Sequence, residues 1–82
     1  MSSNVNLNNQ TSSGIYEGEN SGSMTNCPVT GGFILTVDTR SFILQELRPV
    51  DNPGKIYRRN RVAGSVWTNW FEFSGTEIIP TP

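Results

Sequence analysis

The strongest constraint on this chain is an alternation. After Gly31-Gly32, the residues Phe33, Leu35 and Val37 fall on one side of an extended backbone and Ile34, Thr36 and Asp38 on the other, which is the period of two of a half-buried strand. No window carries a convincing helical period, and aromatic and β-branched residues gather where extended runs are expected. Thr39-Arg40-Ser41 is a short connection, so Phe42 to Arg48 reads as the returning strand of a hairpin. Asp51-Asn52-Pro53-Gly54 is a turn, because proline fixes φ and glycine tolerates the left-handed region. Lys55 to Arg61 follows as a strand, Ala63-Gly64-Ser65 as a turn, and Val66-Trp67 with Trp70 to Phe73 completes the ladder. The expected fold class is mainly β, a small antiparallel β-sheet or sandwich domain.

Three regions differ in character. Residues 1–13 are polar and of low complexity, with Val5 and Leu7 the only apolar positions after Met1, and such a segment cannot offset its own ordering entropy. It is expected to be an extended anchoring arm, with Val5 and Leu7 on one face of a strand added to a partner's sheet edge. Residues 14–79 are the β-domain, in which Glu17 to Asn26 reads as loop. Residues 80–82 form a tail whose prolines stop the ladder. Phe33, Leu35, Val37, Leu44 and Ile56 are the candidates for core or subunit contact.

The domain is short of core material. Hydrophobic residues make up 34% of its 82 residues, and chains of this size usually need a disulfide, a metal or oligomerisation. Cys27 is the lone cysteine and histidine is absent, which removes an internal disulfide and the usual zinc ligand sets. Oligomerisation is the staple left.

The same inventory argues against an enzyme, since histidine is the commonest general acid–base group and nucleophilic triads need one. No catalytic residues, metal or cofactor are expected. The acids Glu17, Glu19, Asp38, Glu46 and Asp51 are scattered and match no calcium loop. The net charge of −1 gives no global field for nucleic acid, but it is unevenly distributed. Residues 1–39 carry −3, residues 40–61 carry +4 and the remainder −2, an asymmetry that lets one subunit's acidic segment lie against a neighbour's basic strand. Gly32 to Leu35 is the longest apolar run, far below a membrane span, and the first residues have no signal-peptide pattern. Neither membrane insertion nor export is expected.

The order of landmarks is informative as a set: Gly14-Ile15-Tyr16, then Asn26-Cys27-Pro28 before Phe33-Ile34-Leu35-Thr36-Val37, Gln45 in the second strand, Gly54-Lys55-Ile56-Tyr57-Arg58-Arg59, and Trp67-Thr68-Asn69-Trp70. Over about residues 14–73 this resembles the knob domain of pyocin and bacteriophage tail fibres. Cys27 and Glu17 depart from it, standing where such domains usually have Ala or Leu and a second aromatic. The resemblance implies a homotrimeric virion protein, assembled in the bacterial host cytoplasm. It would be a tail, baseplate or fibre-attachment piece or a head decoration, and would contact other virion proteins and contribute to host attachment.

Tyr57, Arg58, Arg59, Arg61, Trp67 and Trp70 are the candidate contacts for a host-surface glycan or protein partner, since guanidinium groups beside aromatic faces suit either. Alternation splits them, with Tyr57, Arg59 and Arg61 on one face and Arg58 on the other. The plainer alternative is structural, an arginine stacked on Trp67 or Trp70. A carbohydrate-binding module is the rival function, and it requires an indole beside a groove. Cys27 is expected to be a small buried hydrophobe or an idle thiol.

Overall fold

The computed structural model of the chain describes residues 5–40, 42–62 and 66–80. Six strands make one antiparallel sheet: β1 (Gly14–Asn20), β2 (Gly31–Asp38), β3 (Ile43–Pro49), β4 (Lys55–Val62), β5 (Val66–Trp67) and β6 (Phe71–Ser74). β1 to β4 lie side by side in chain order. β5 pairs with the end of β4 at Arg61 and Val62, and β6 with its beginning, Lys55 to Arg58. The strands from Phe33 to Phe73 thus form where alternation placed them. The expected turn at 63–65, position 41 of the hairpin connection and residues 1–4 of the expected arm lie outside the described residues.

β1 corrects the sequence reading, which assigned a loop from Glu17 onward. Its two glycines and two carboxylates disguise a strand whose inward positions are Tyr16, Gly18 and Asn20. Gly18 is required there because a Cβ would sit 2.5 Å from Cζ of Phe33, across the ladder. Asn20 ends the strand by folding the following loop around itself. Its Oδ1 accepts from the backbone N–H of Gly22 (2.9 Å) and Met24 (3.1 Å), and its Nδ2 donates to the carbonyl of Val29 (2.7 Å).

One face of the sheet is covered. Tyr16, Leu35, Leu47 and Tyr57 form one row across it and Val37, Gln45 and Arg59 the next. Residues 5–13 and the β1–β2 loop lie over these rows, and the core is Leu7, Met24, Phe33, Leu35, Val37 and Leu47. Leu7 is fully buried at the start of a 3-10 turn, Leu7–Asn9, capped by Asn6. The N–H of Leu7 donates to Thr25 O (3.1 Å) and the N–H of Thr25 to Val5 O (3.2 Å). Residues 5–13 are therefore a lid on the chain's own sheet. The expected role of Val5 and Leu7 as contacts on a partner is corrected here, since the apolar surface under the lid is what orders them.

The other face is open. Leu44 and Ile56, grouped in the sequence with Phe33, Leu35 and Val37, point to this side, as the register requires. They share it with Ile15, Ile34, Val50, Phe71 and Phe73. Ile15 is 72% exposed and Phe71 61%. Among the described residues there is no second sheet to close a sandwich.

Candidate functional site

β4 divides its basic residues between the faces. On the open side Arg58 pairs with Glu46 (3.4 Å) and lies over the ring of Phe73, 5.2 Å from its centroid. Across the sheet's covered side run Tyr57, Arg59 and Arg61. Tyr57 packs partly buried against the core, and burial, with Glu72 beside it, pushes its phenol pKa up. Glu72 forms an ion pair with Lys55.

Arg59 is the centre of the covered side's polar cluster. It is only 4% exposed, and its guanidinium carbon lies 4.0 Å from the ring centroid of Trp67 and 4.5 Å from that of Trp70. Its Nε donates to Oε1 of Gln45 (2.9 Å). Gln45, itself fully buried, donates from Nε2 to the carbonyls of Leu7 (2.7 Å) and Gln10 (2.9 Å). A chain of contacts thus runs from two indoles through Arg59 and Gln45 to the lid. Desolvation lowers the Arg59 pKa to about 10, so the group stays charged at neutral pH. Indole faces and an amide oxygen meet it where a carboxylate would ordinarily stand, and a desolvated cation–π contact is worth about 2 kcal/mol.

The turn between the two tryptophans is pinned to β4. Thr68 donates its N–H to Asn60 O (2.8 Å), and Asn60 donates its N–H to Thr68 Oγ1 (3.1 Å). Trp70 is then held by its own Nε1, which donates to the carbonyl of Asn26 (3.0 Å). Asn26 adopts φ of 59°, a left-handed conformation that asparagine tolerates better than most residues. Trp70 is thereby fixed as a clasp on the β1–β2 loop. Cys27 beside it is partly buried, its Sγ donating to Val29 O (3.3 Å), and burial pushes the thiol pKa up even though Arg59 opposes that shift.

Trp67 is placed differently. With Asn8, Asn9, Thr11 and Arg61 it lines a groove of about 390 Å³ between the lid and the β4–β5 edge. The six expected contact residues therefore separate into a support (Arg59, Trp70), an open-face residue (Arg58), a packing residue (Tyr57) and two groove residues (Arg61, Trp67). Asn8, Asn9 and Thr11 were hidden in the polar segment assigned to an arm. Gln45 carried a readable signal, since alternation sets it on the same side as Leu47. Among the described residues no group of three or more His, Cys, Asp or Glu could hold a metal ion. No helix is long and apolar enough to cross a membrane.

No protein-family model, curated protein or solved structure matches this chain.

Proposed function

We propose that this chain is a structural subunit that works by assembly and binding, with no chemistry of its own. In this reading it is a small homotrimeric appendage of a bacteriophage particle, as the resemblance to tail-fibre knobs implies. Its partners are further copies of itself and other virion proteins of the tail, baseplate, fibre attachment or head, and its location is the virion. The observation that carries the reading is the open face. Ile15, Phe71 and Phe73 stand exposed there, with Ile34, Leu44 and Ile56 half-buried on the same side and Thr36, Glu46, Arg48 and Arg58 set among them, and exposed apolar side chains bordered by polar ones mark an interaction site.

Charge supports the same arrangement. Glu17 and Glu19 lie at the β1 edge of the open face, while Arg48 and Arg58 lie toward β3 and β4. A head-to-tail ring with the open faces turned inward brings one copy's acidic edge toward the next copy's basic strands, and such a ring closes when the rotation permits. Attachment then falls to the open face and the sheet edges, because residues 5–13 are used in covering the other side.

Light scattering coupled to size exclusion tests the assembly. The expected mass is three times the 9.1 kDa of the chain. Ile15→Lys combined with Phe73→Lys should give a monomer that keeps its β-sheet circular dichroism. A stable wild-type monomer at about 100 μM, well above the micromolar range of ordinary specific association, would sink the proposal.

A further inference from the structure

The sheet ends in two strands that each use only one side of their backbone. Successive residues of a strand turn their N–H and C=O groups to opposite sides, so a single hydrogen bond to a neighbouring strand fixes the rest. Gly32 O accepts from the N–H of Val50 (3.0 Å), so Gly32, Ile34 and Thr36 bond toward β3, and Phe33, Leu35 and Val37 toward β1. The β1 residues opposite the latter three are Gly18, Tyr16 and Gly14, which leaves the backbone groups of Ile15, Glu17 and Glu19 turned outward. At the other margin Gly54 O accepts from the N–H of Gly75 (2.7 Å) and Asn60 O from that of Thr68 (2.8 Å). Ile56 and Arg58 therefore bond to Phe73 and Phe71, while the backbone groups of Glu72 and Ser74 turn outward. Among the described residues β1 pairs only with β2, and β6 only with β4.

Edges of this kind accept a further strand, and their side chains select which one. Two β1 edges paired antiparallel would bring Glu17 and Glu19 against the same residues of the other copy, and like charges directly opposite are destabilising. The β6 edge is the complement. On the open face it presents Phe71 and Phe73, both exposed, with the guanidinium of Arg58 lying over the Phe73 ring. β1 presents exposed Ile15 and then Glu17 on that same face.

We propose that β6 of one copy pairs with β1 of the next, so that hydrogen bonds carry the sheet from copy to copy. This rests on the assembly reading above and names the backbone contact within it. All strand pairings in the chain are antiparallel, so β1 and β6 run in the same direction. Rotation about an axis along the strands preserves that direction, and the joined edges form a parallel pair. With Ile15 opposite Phe71 and Glu17 opposite Phe73, the N–H of Glu17 donates to the neighbouring copy's Glu72 O, and Glu17 O accepts from its Ser74 N–H. This register sets apolar against apolar at the first pair and brings Glu17 beside the ring that Arg58 covers. A slip of one residue would set the open face of one copy against the covered side of the next. In the register chosen, all open faces lie on one side of the extended sheet.

The test follows amide hydrogen exchange and mass on the full chain. In the assembled wild type the N–H groups of Glu17, Glu72 and Ser74 should exchange at least about tenfold more slowly than in the Ile15→Lys/Phe73→Lys monomer, the factor that one hydrogen bond supplies. Glu17→Pro deletes an outward N–H and no bond to β2, a place where an edge strand tolerates proline. It should keep the β-sheet circular dichroism and the indole resonance of Trp70, whose N–H is held by Asn26, while raising the concentration for half-assembly about tenfold or more. An assembled wild type whose three amides exchange as fast as in the monomer would overturn the edge pairing and leave the assembly reading in place. Unchanged assembly of Glu17→Pro would do the same. Slowed exchange at a mass of two copies would support the pairing and overturn the trimer, and a wild-type chain that stays monomeric would overturn both.

Discussion

Leu7→Ala measures directly whether the polar first segment is a lid or an arm. Leu7 is fully buried against Phe33, Leu35, Val37 and Leu47, in the only apolar cluster found among the described residues. Truncating a buried leucine removes its transfer free energy and leaves a cavity, together worth about 2–5 kcal/mol, and we take about 3 kcal/mol because the lid is thin and can partly collapse. A chain of this length is stable by roughly 4–12 kcal/mol at about 0.05–0.15 kcal/mol per residue, so the loss is a large share of the whole. With a urea dependence of about 1 kcal/mol per molar for so small a domain, the midpoint should fall by roughly 2–3 M. Indole fluorescence is a suitable probe, since both tryptophans report on the Arg59 cluster beneath the lid. The comparison is made at one protein concentration, because assembly would raise apparent stability by mass action. Ile79→Ala, at a position 80% exposed, is the control and should change stability by less than about 0.5 kcal/mol. Equal midpoints for the two variants would refute the lid and restore the free arm.

Four further outcomes follow. Gly18→Ala should destabilise by about 1–3 kcal/mol, since the added methyl meets a buried Phe33 ring with nowhere to move; unchanged thermal unfolding would contradict the packing. Arg59→Lys should cost about 2 kcal/mol by removing the flat group that contacts both indoles and Gln45, read by denaturant titration, with a neutral result counting against the cluster. Cys27 should react with a maleimide or disulfide reagent at pH 8 much more slowly in the native protein than in urea, because burial raises its pKa; equal rates would show the thiol to be open. Acid should weaken the fold through Asp38, held down at about 2 by its hydrogen bonds to Arg40, and Glu72, lowered by Lys55. Their unfolded values of about 3.9 and 4.3 are higher, so the unfolded chain takes up protons first as the pH falls. The stability they contribute is complete above about pH 5 and lost as the pH drops toward 2, and Asp38→Asn should flatten that fall in the melting temperature.

How much of this was legible depended on whether a residue's role was local. β2 through β6 follow from alternation and turn chemistry, which are properties of neighbours in sequence. β1 was missed because its inward residues answer to a strand elsewhere. Gly18 is small for the sake of Phe33, and Asn20 is polar for the sake of loop carbonyls. The choice between arm and lid is not legible for the same reason, since one leucine among asparagines and serines gives no periodic signal, and only the apolar face beneath it makes burial of Leu7 favourable. In the candidate site, Trp67 and Arg61 were readable from composition. Asn8, Asn9 and Thr11 reach the groove only because Gln45 binds the carbonyls of Leu7 and Gln10, 38 and 35 residues away.

The shortage of hydrophobic residues takes on a sharper meaning once their placement is known. A chain poor in apolar side chains would be expected to bury nearly all of them. Among the described residues six form the buried core, yet nine large ones, among them Ile15, Phe42, Val66, Phe71 and Phe73, stand exposed. The sheet therefore does not lack apolar material so much as divide it between two faces, and the lid covers only one. An isolated exposed leucine would call for no explanation. A sheet face that sets Ile15, Ile34, Leu44, Ile56, Phe71 and Phe73 among Thr36, Glu46, Arg48 and Arg58 does, because each of those apolar side chains would otherwise favour the covered side. The division makes sense if the open face is covered too, by surface that the described residues do not supply.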